Sequence, residues 1–209
     1  MKIKNIEKIG IIGGTFDPIH FGHLMIAENA REQYGLDKVL FMPTGHSPHK
    51  YKQDVTEAFH RCQMVSLAIV NNPCFFIDKT EVETKEISYT YLTLEKLKKI
   101  YISAELYFIL GADSLFDFES WREPEEILLN CNILAAYRKH EYQGKFFQQI
   151  EYLNQKYPQK FFPLDTPSLE VSSKEIRTRL QCGRTIRYLV PREVEAYIRK
   201  YHLYHIEKN

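Results

Sequence analysis

Residues 13–23, Gly-Gly-Thr-Phe-Asp-Pro-Ile-His-Phe-Gly-His, are residue types suited to holding phosphate. Two adjacent glycines let a backbone turn sharply and let a ligand approach it closely. His20 and His23 stand three residues apart, which puts both on one helix face within reach of the same phosphate. That chemistry requires the stretch to be a strand-to-helix turn, and its flanks agree. Lys8 to Ile12 reads as a short apolar strand, and Leu24 to Tyr34 has helical composition with Gly35 as its stop. A helix start adds unpaired N–H groups and a partial positive charge, an anion site in itself. No Gly-Lys-Ser/Thr follows the glycines and Gly-x-Gly-x-x-Gly is absent, so neither a Walker loop nor a dinucleotide fingerprint is present. An ordinary turn with two surface histidines explains Gly13-Gly14 but not Asp17-Pro18 and His20-x-Gly22-His23 at fixed offsets.

Three further segments carry chemistry-bearing residues. After the apolar run Val39–Met42 comes Pro43-Thr44-Gly45-His46-Ser47-Pro48-His49-Lys50, a loop by composition. Lys50 there is either a point charge for phosphate or a solvated lysine, and His46 and His49 lack the neighbours a metal site needs. Next, Gly111-Ala112-Asp113-Ser114 follows the strand Leu106–Leu110 directly. Its small residues allow close approach, and Asp113 can accept from ribose hydroxyls while Asp or Ser caps a helix. Trp121 lies just beyond in a polar context, as a core residue or a face on which a planar ring stacks. Last, Val171-Ser172-Ser173-Lys174-Glu175-Ile176-Arg177 places a helix cap at Ser172 or Ser173 and Arg177 one turn along. Capping explains the serines. A cation near a helix start opposes the dipole, so Arg177 points to an anion.

The elements that must position these loops alternate along the chain. Strand-like runs at Ile9–Ile12, Val39–Met42, Phe75–Ile77, Leu106–Leu110, Ile133–Tyr137 and a weaker Phe161–Pro163 are separated by helical patterns. These patterns fall at Leu24–Tyr34, Asp54–Val70, Thr90–Tyr101, Pro124–Leu129 and Gly144–Tyr157, with Asp54 and Glu57 placed as a capping box. The alternation predicts an α/β fold, a doubly wound, mainly parallel sheet whose ligands bind beyond the carboxyl ends of the strands. From about 168 onward two helices follow, Ser172–Leu180 and Pro191–Tyr201, with no low-complexity linker. They read as a small C-terminal helical part docked on a single 209-residue domain. A net charge of +1 gives no general attraction for nucleic acid or membrane, and no apolar run approaches a membrane span. Four scattered cysteines without a Cys-x-x-Cys pair suit free thiols in a reducing compartment, so the chain reads as cytoplasmic.

His20-Phe21-Gly22-His23 resembles the His-x-Gly-His element of the nucleotidyltransferase superfamily, and the Ser-Ser-x-x-Ile-Arg stretch resembles its C-terminal element. Ile87-Ser88-Tyr89-Thr90-Tyr91, Gly111-Ala112-Asp113 with Trp121, Tyr137-Arg138 and Ile186-Arg187-Tyr188-Leu189-Val190-Pro191 extend the likeness over nearly the whole chain, to the bacterial nicotinate-nucleotide adenylyltransferases. Two departures stand out: Lys174 replaces a small hydroxyl residue, and Arg138 is followed by Lys139-His140 rather than Pro-Gly.

The resemblance implies a Rossmann-like nucleotidyltransferase fold. It implies transfer of adenylate from ATP to nicotinate mononucleotide, with pyrophosphate leaving and Mg2+ arriving on ATP rather than in a protein site. His20, His23, Lys50 and Arg177 would stabilise the reacting phosphates. Gly13, Gly14, Thr15, Phe16, Gly111, Asp113, Arg138, Ser172 and Ser173 would hold ATP, and Tyr89, Thr90 and Trp121 the nicotinate ring. Partners are then the two small substrates, without nucleic acid or membrane, in a chain that can self-associate. Two alternatives stay open. A phosphopantetheine adenylyltransferase shares the first motif but lacks the Tyr-Thr and tryptophan elements, and a nucleotide sensor without catalysis would not release pyrophosphate.

Overall fold

The computed structural model describes residues 7–45, 55–84, 87–138 and 143–204. Six strands form one parallel sheet: β1 (Lys8–Gly14), β2 (Lys38–Pro43), β3 (Phe75–Ile77), β4 (Glu105–Gly111), β5 (Asn132–Arg138) and β6 (Phe161–Thr166). Their order is β3-β2-β1-β4-β5-β6, with every neighbouring pair parallel. The expected doubly wound sheet is therefore parallel throughout, and the chain reverses its direction of winding between β1 and β4. That switch point opens a crevice beyond the two strand ends, where such sheets bind ligands.

Apolar residues alternate between the two faces of the central strands, because successive side chains of a strand point to opposite sides. Ile12, Val39, Phe41, Tyr107, Ile109, Leu134 and Ala136 face one core, and Ile9, Ile11, Leu40, Met42, Leu106, Phe108, Ile133 and Ala135 the other. Four helices cover the first face: α1 (Phe21–Tyr34), α2 (Ala58–Ile69), α8 (Ser173–Gln181) and α9 (Arg192–Lys200). The second is covered by α4 (Thr90–Ile100), α5 (Ala112–Phe116), α6 (Pro124–Asn130) and α7 (Gln143–Lys156). Both C-terminal helices thus share a core with β1 and β2, through Ile176, Leu180, Val194 and Ile198.

Local signals place most boundaries. Gly35 closes α1 in the left-handed conformation (φ 61°), and its N–H bonds the Arg31 carbonyl. Pro124 opens α6, where its missing N–H is not needed. Ser172 caps α8, its hydroxyl accepting from the Glu175 N–H at 3.1 Å. Other expectations need correction. The helix expected from Asp54 begins at Ala58 after Glu57, and Asp54 lies outside the described residues. Pro191 precedes α9 instead of sitting inside its first turn. A four-residue helix, α3 (Thr80–Glu83), and a 3₁₀ turn at Phe118–Ser120 are too short for periodicity to reveal.

Candidate active site

The turn from Gly14 to α1 is built from long-range contacts rather than from its own sequence. Phe16 adopts a left-handed backbone (φ 50°) and buries its ring against Phe41 and, edge-on at 5.0 Å, against His23. Phe16 can therefore serve a ligand only through its backbone, since its side chain is core. His20 occupies the N-cap position of α1 and His23 the third helical position. Their rings stack at 3.7 Å with planes 26° apart. The backbone N–H of His20 donates to Nδ1 of His23 at 3.3 Å. In a neutral ring that leaves the His23 proton on Nε2, as an outward donor. Gly22 makes room for the stack: a Cβ there would stand 3.0 Å from the His20 ring and 3.1 Å from Val171. The central glycine of His-x-Gly-His thus serves the packing of the first histidine.

Burial sets the charge of this pair. It pushes the His20 imidazole down to about 4, and it holds His23 well below its ordinary range with help from the neighbouring His20. Near neutral pH the two rings are therefore uncharged hydrogen-bond donors. His20 is 6% exposed; its side chain faces the His23 N–H as half of a capping box, and its Nδ1 is buried with no full hydrogen bond. Such an unmet polar atom at a helix start is what a bound anion would satisfy.

α8 brings the second element onto the turn. The Ser173 hydroxyl donates to the Pro18 carbonyl at 2.9 Å, and Arg177 Nη1 donates to the Asp17 carbonyl at 2.7 Å. Ser172 is committed to its cap, so the hydroxyls of both serines already have partners. The Asp17 carboxylate is buried, accepting from the Tyr204 hydroxyl at 2.7 Å and from the Thr56 N–H at 3.3 Å.

Across the crevice β4 ends at Gly111, which is the N-cap of α5, and a Cβ there would meet nothing within 4 Å. Asp113 stands inside the first turn of α5, so neither it nor Ser114 caps that helix as expected. The backbone of Arg138 ends β5 beside Thr166 of β6, on the same carboxyl edge of the sheet. Lys50, with His46 and His49, lies outside the described residues.

The residues expected at the nicotinate ring form a separate strip. Tyr89 precedes α4 without a side-chain cap, which leaves the Thr90 end of that helix open. Trp121 is half-buried, packing on Phe118 at 5.6 Å and edge-on against Phe108 at 6.0 Å. Arg122 joins the two pieces: its guanidinium lies 4.7 Å from the centre of the Tyr89 ring and donates to the Tyr89 hydroxyl at 3.1 Å. Phe108 is the wall shared with the phosphate turn, since a Cβ on Gly13 would stand 3.4 Å from its ring.

Sequence reasoning missed Arg61, Glu81, Arg122 and Tyr204. Only Arg61 left a local signal, being a cation in the same helical stripe as Val65 and Ile69. Glu81 is a half-buried carboxylate raised by desolvation and steadied by the Thr93 hydroxyl at 2.9 Å.

A six-stranded parallel sheet with donors gathered at its switch point defines a nucleotide-binding α/β protein, and a model of the cytidylyltransferase-like family matches residues 11–179. A probable nicotinate-nucleotide adenylyltransferase of Thermoanaerobacter sp. is 42% identical, covering 94% of each chain. One from Lachnoclostridium phytofermentans is 41% identical, covering 95% of this chain and 100% of the relative. The Plasmodium falciparum nicotinic acid mononucleotide adenylyltransferase complexed with NaAD superposes with a TM-score of 0.77 at 25% identity, covering 95% and 97% of the two chains. The chain belongs to the nicotinate-nucleotide adenylyltransferase family.

Proposed function

We propose that this protein transfers the adenylate of ATP to nicotinate mononucleotide. A phosphate oxygen of the mononucleotide attacks the α-phosphorus of ATP, the bond to the bridging oxygen breaks, and pyrophosphate leaves with the electron pair. The observation that carries this reading is the neutral, stacked His20–His23 pair with an unmet buried nitrogen at the start of α1. The attacking oxygen is already anionic, so no general base is required. What remains is to align two polyanions and to stabilise charge on the leaving group.

The side chains suit that task. His20 and His23 offer uncharged donors, which cost little desolvation before substrate arrives and strengthen when an anion binds. Arg177 adds a fixed positive charge at the same turn, and Lys50 supplies a second from the loop after β2. Gly13, Gly14, Thr15 and Phe16 receive the nucleotide through their backbone. Ser172 and Ser173 shape the α8 start, and Asp113 and Arg138 are assigned to the nucleotide beyond the open Cα of Gly111.

Among the described residues no three His, Cys, Asp or Glu side chains gather as a metal site. The donor set around the turn fits Mg2+ held by the ATP phosphates, where the ion would offset charge on the transferred group.

The nicotinate end is read from the open start of α4. Its N–H groups suit a carboxylate, whereas a carboxamide sets its own donor against one of them. Trp121 offers the stacking surface. The deciding experiment measures pyrophosphate release with ATP and either nicotinate or nicotinamide mononucleotide. We expect the acid to be preferred by at least about 10²-fold. No release with either mononucleotide would overturn the reaction, and equal efficiency on both would overturn the pocket.

A further inference from the structure

Arg61 stands in the buried stripe of α2, among Cys62, Met64 and Val65, with only 3% of its surface exposed. A buried cation is costly unless its donors are satisfied. Here the guanidinium is spent on three carbonyl oxygens from three separate segments. Nη1 donates to Thr15 in the turn after β1 at 2.7 Å, Nη2 to Thr44 at the end of β2 at 2.9 Å, and Nε to Thr56 before α2 at 2.9 Å. Burial draws its pKa down, and the nearby charge of Asp17 acts to keep it protonated.

In a trans peptide the C=O and N–H of one plane point in opposite directions. Arg61 pulls the Thr15 carbonyl into the core, so the Phe16 N–H of the same plane faces away from it. The left-handed backbone of Phe16 (φ 50°) sustains that orientation. At Thr44 the same logic fastens a second peptide, since its carbonyl goes to Arg61 and the Gly45 N–H goes to the half-buried carboxylate of Glu81. This second peptide leads into the loop that carries Lys50.

We propose that Arg61 is a positioning residue for the phosphates of ATP: it holds the Thr15–Phe16 peptide with its N–H outward and fastens the Thr44–Gly45 peptide at the end of β2. The inference rests on the adenylyltransferase reading, but it concerns ATP alone. A planar fork is needed, because one side chain must serve three carbonyls at fixed angles. Lysine keeps the charge and loses the fork. Methionine keeps much of the stem and loses both.

The test uses the full chain with Arg61→Lys and Arg61→Met, followed by ATP calorimetry, separate KM values for the two substrates, and thermal melting. Well below melting, Arg61→Lys should weaken ATP binding about tenfold or more, in keeping with lost charge-assisted bonds and a misplaced donor. The KM for nicotinate mononucleotide should stay within about twofold, since the proposal assigns the Phe16 N–H to ATP. A lowered melting temperature with parent-like ATP affinity would overturn the proposal, as would equal losses on both substrates. If neither variant folds, the parent decides the matter. Its Phe16 amide resonance should shift on addition of ATP, and an unmoved resonance would refute the assignment. Pyrophosphate release by the parent tests the reaction itself, so a failure of that reading is seen separately.

Discussion

The turn from Gly13 to His23 and the strip from Tyr89 to Arg122 are proposed to serve one reaction, yet they are built differently. In the turn nearly every polar group is held by a residue distant in sequence: Asp17 by Tyr204 and Thr56, its carbonyl by Arg177, Thr15 by Arg61. The strip is held at the surface, chiefly by exposed Arg122 on Tyr89, with Trp121 half in the core. A buried network is rigid and costly to break, whereas an exposed cation–aromatic contact is worth about 0.5–1 kcal/mol. On the proposed assignment the chemistry falls on the rigid part and the choice of substrate on the adaptable one. Substitutions in the turn should act on rate, ATP binding and stability, and those in the strip on mononucleotide affinity.

The largest effect should come from His20→Ala or His23→Ala. Each removes a preorganised donor to the developing charge, and we expect turnover to fall about 10²-fold or more with the fold retained. Near-normal turnover in both variants, read by pyrophosphate release, would break the comparison at its centre. Arg177→Lys should be damaging too, because it keeps the charge but loses the fork that reaches the Asp17 carbonyl. Parent-like ATP binding in both Arg177→Lys and Arg177→Ala would make Arg177 a support of the Asp17 carbonyl alone.

Trp121→Ala sharpens the other half. Stacking is blind to whether the ring bears a carboxylate or a carboxamide, so the variant should weaken both mononucleotides alike, by roughly 1–2 kcal/mol, and leave their ratio intact. A changed acid-to-amide ratio would place selectivity on the tryptophan face instead of on the start of α4.

Asp17→Asn probes the network itself. The amide cannot accept at both of its terminal atoms, so either the Tyr204 hydroxyl or the Thr56 N–H loses its partner. The cost should be about 1–3 kcal/mol in thermal melting, larger than any loss of activity per folded molecule. An unchanged melting temperature with lost activity would move Asp17 into the chemistry.

A last expectation is a pH dependence of the ligand-free protein. His20 has a folded-state pKa of about 4 against an ordinary value of 6.5, so between those values the unfolded chain binds more protons than the folded one. Stability should therefore be full above about pH 6.5 and decline as pH falls toward 4. His20→Asn, compared by chemical denaturation across that window, should flatten part of the decline. An identical slope would mean that other groups carry it.

Much of this molecule is legible along the chain because the relevant forces are short-ranged. Strand runs, helical spacing, the Gly35 stop, the Ser172 cap and the imidazole pair on a strand–helix turn all follow from interactions within a few residues. Arg177 was also legible, as a cation where the helix dipole disfavours one. The positions of Asp113 and Ser114 within α5 were not, since a glycine ending a buried strand can begin a helix without a capping side chain. Tertiary structure alone decided what meets the turn. Residues 17, 61, 177 and 204 converge because the strand order places α1, α2, α8 and α9 on one face of the sheet. Only within that packed layer do a buried arginine and a tyrosine near the C-terminus find the carbonyl and carboxylate partners that make their burial tolerable.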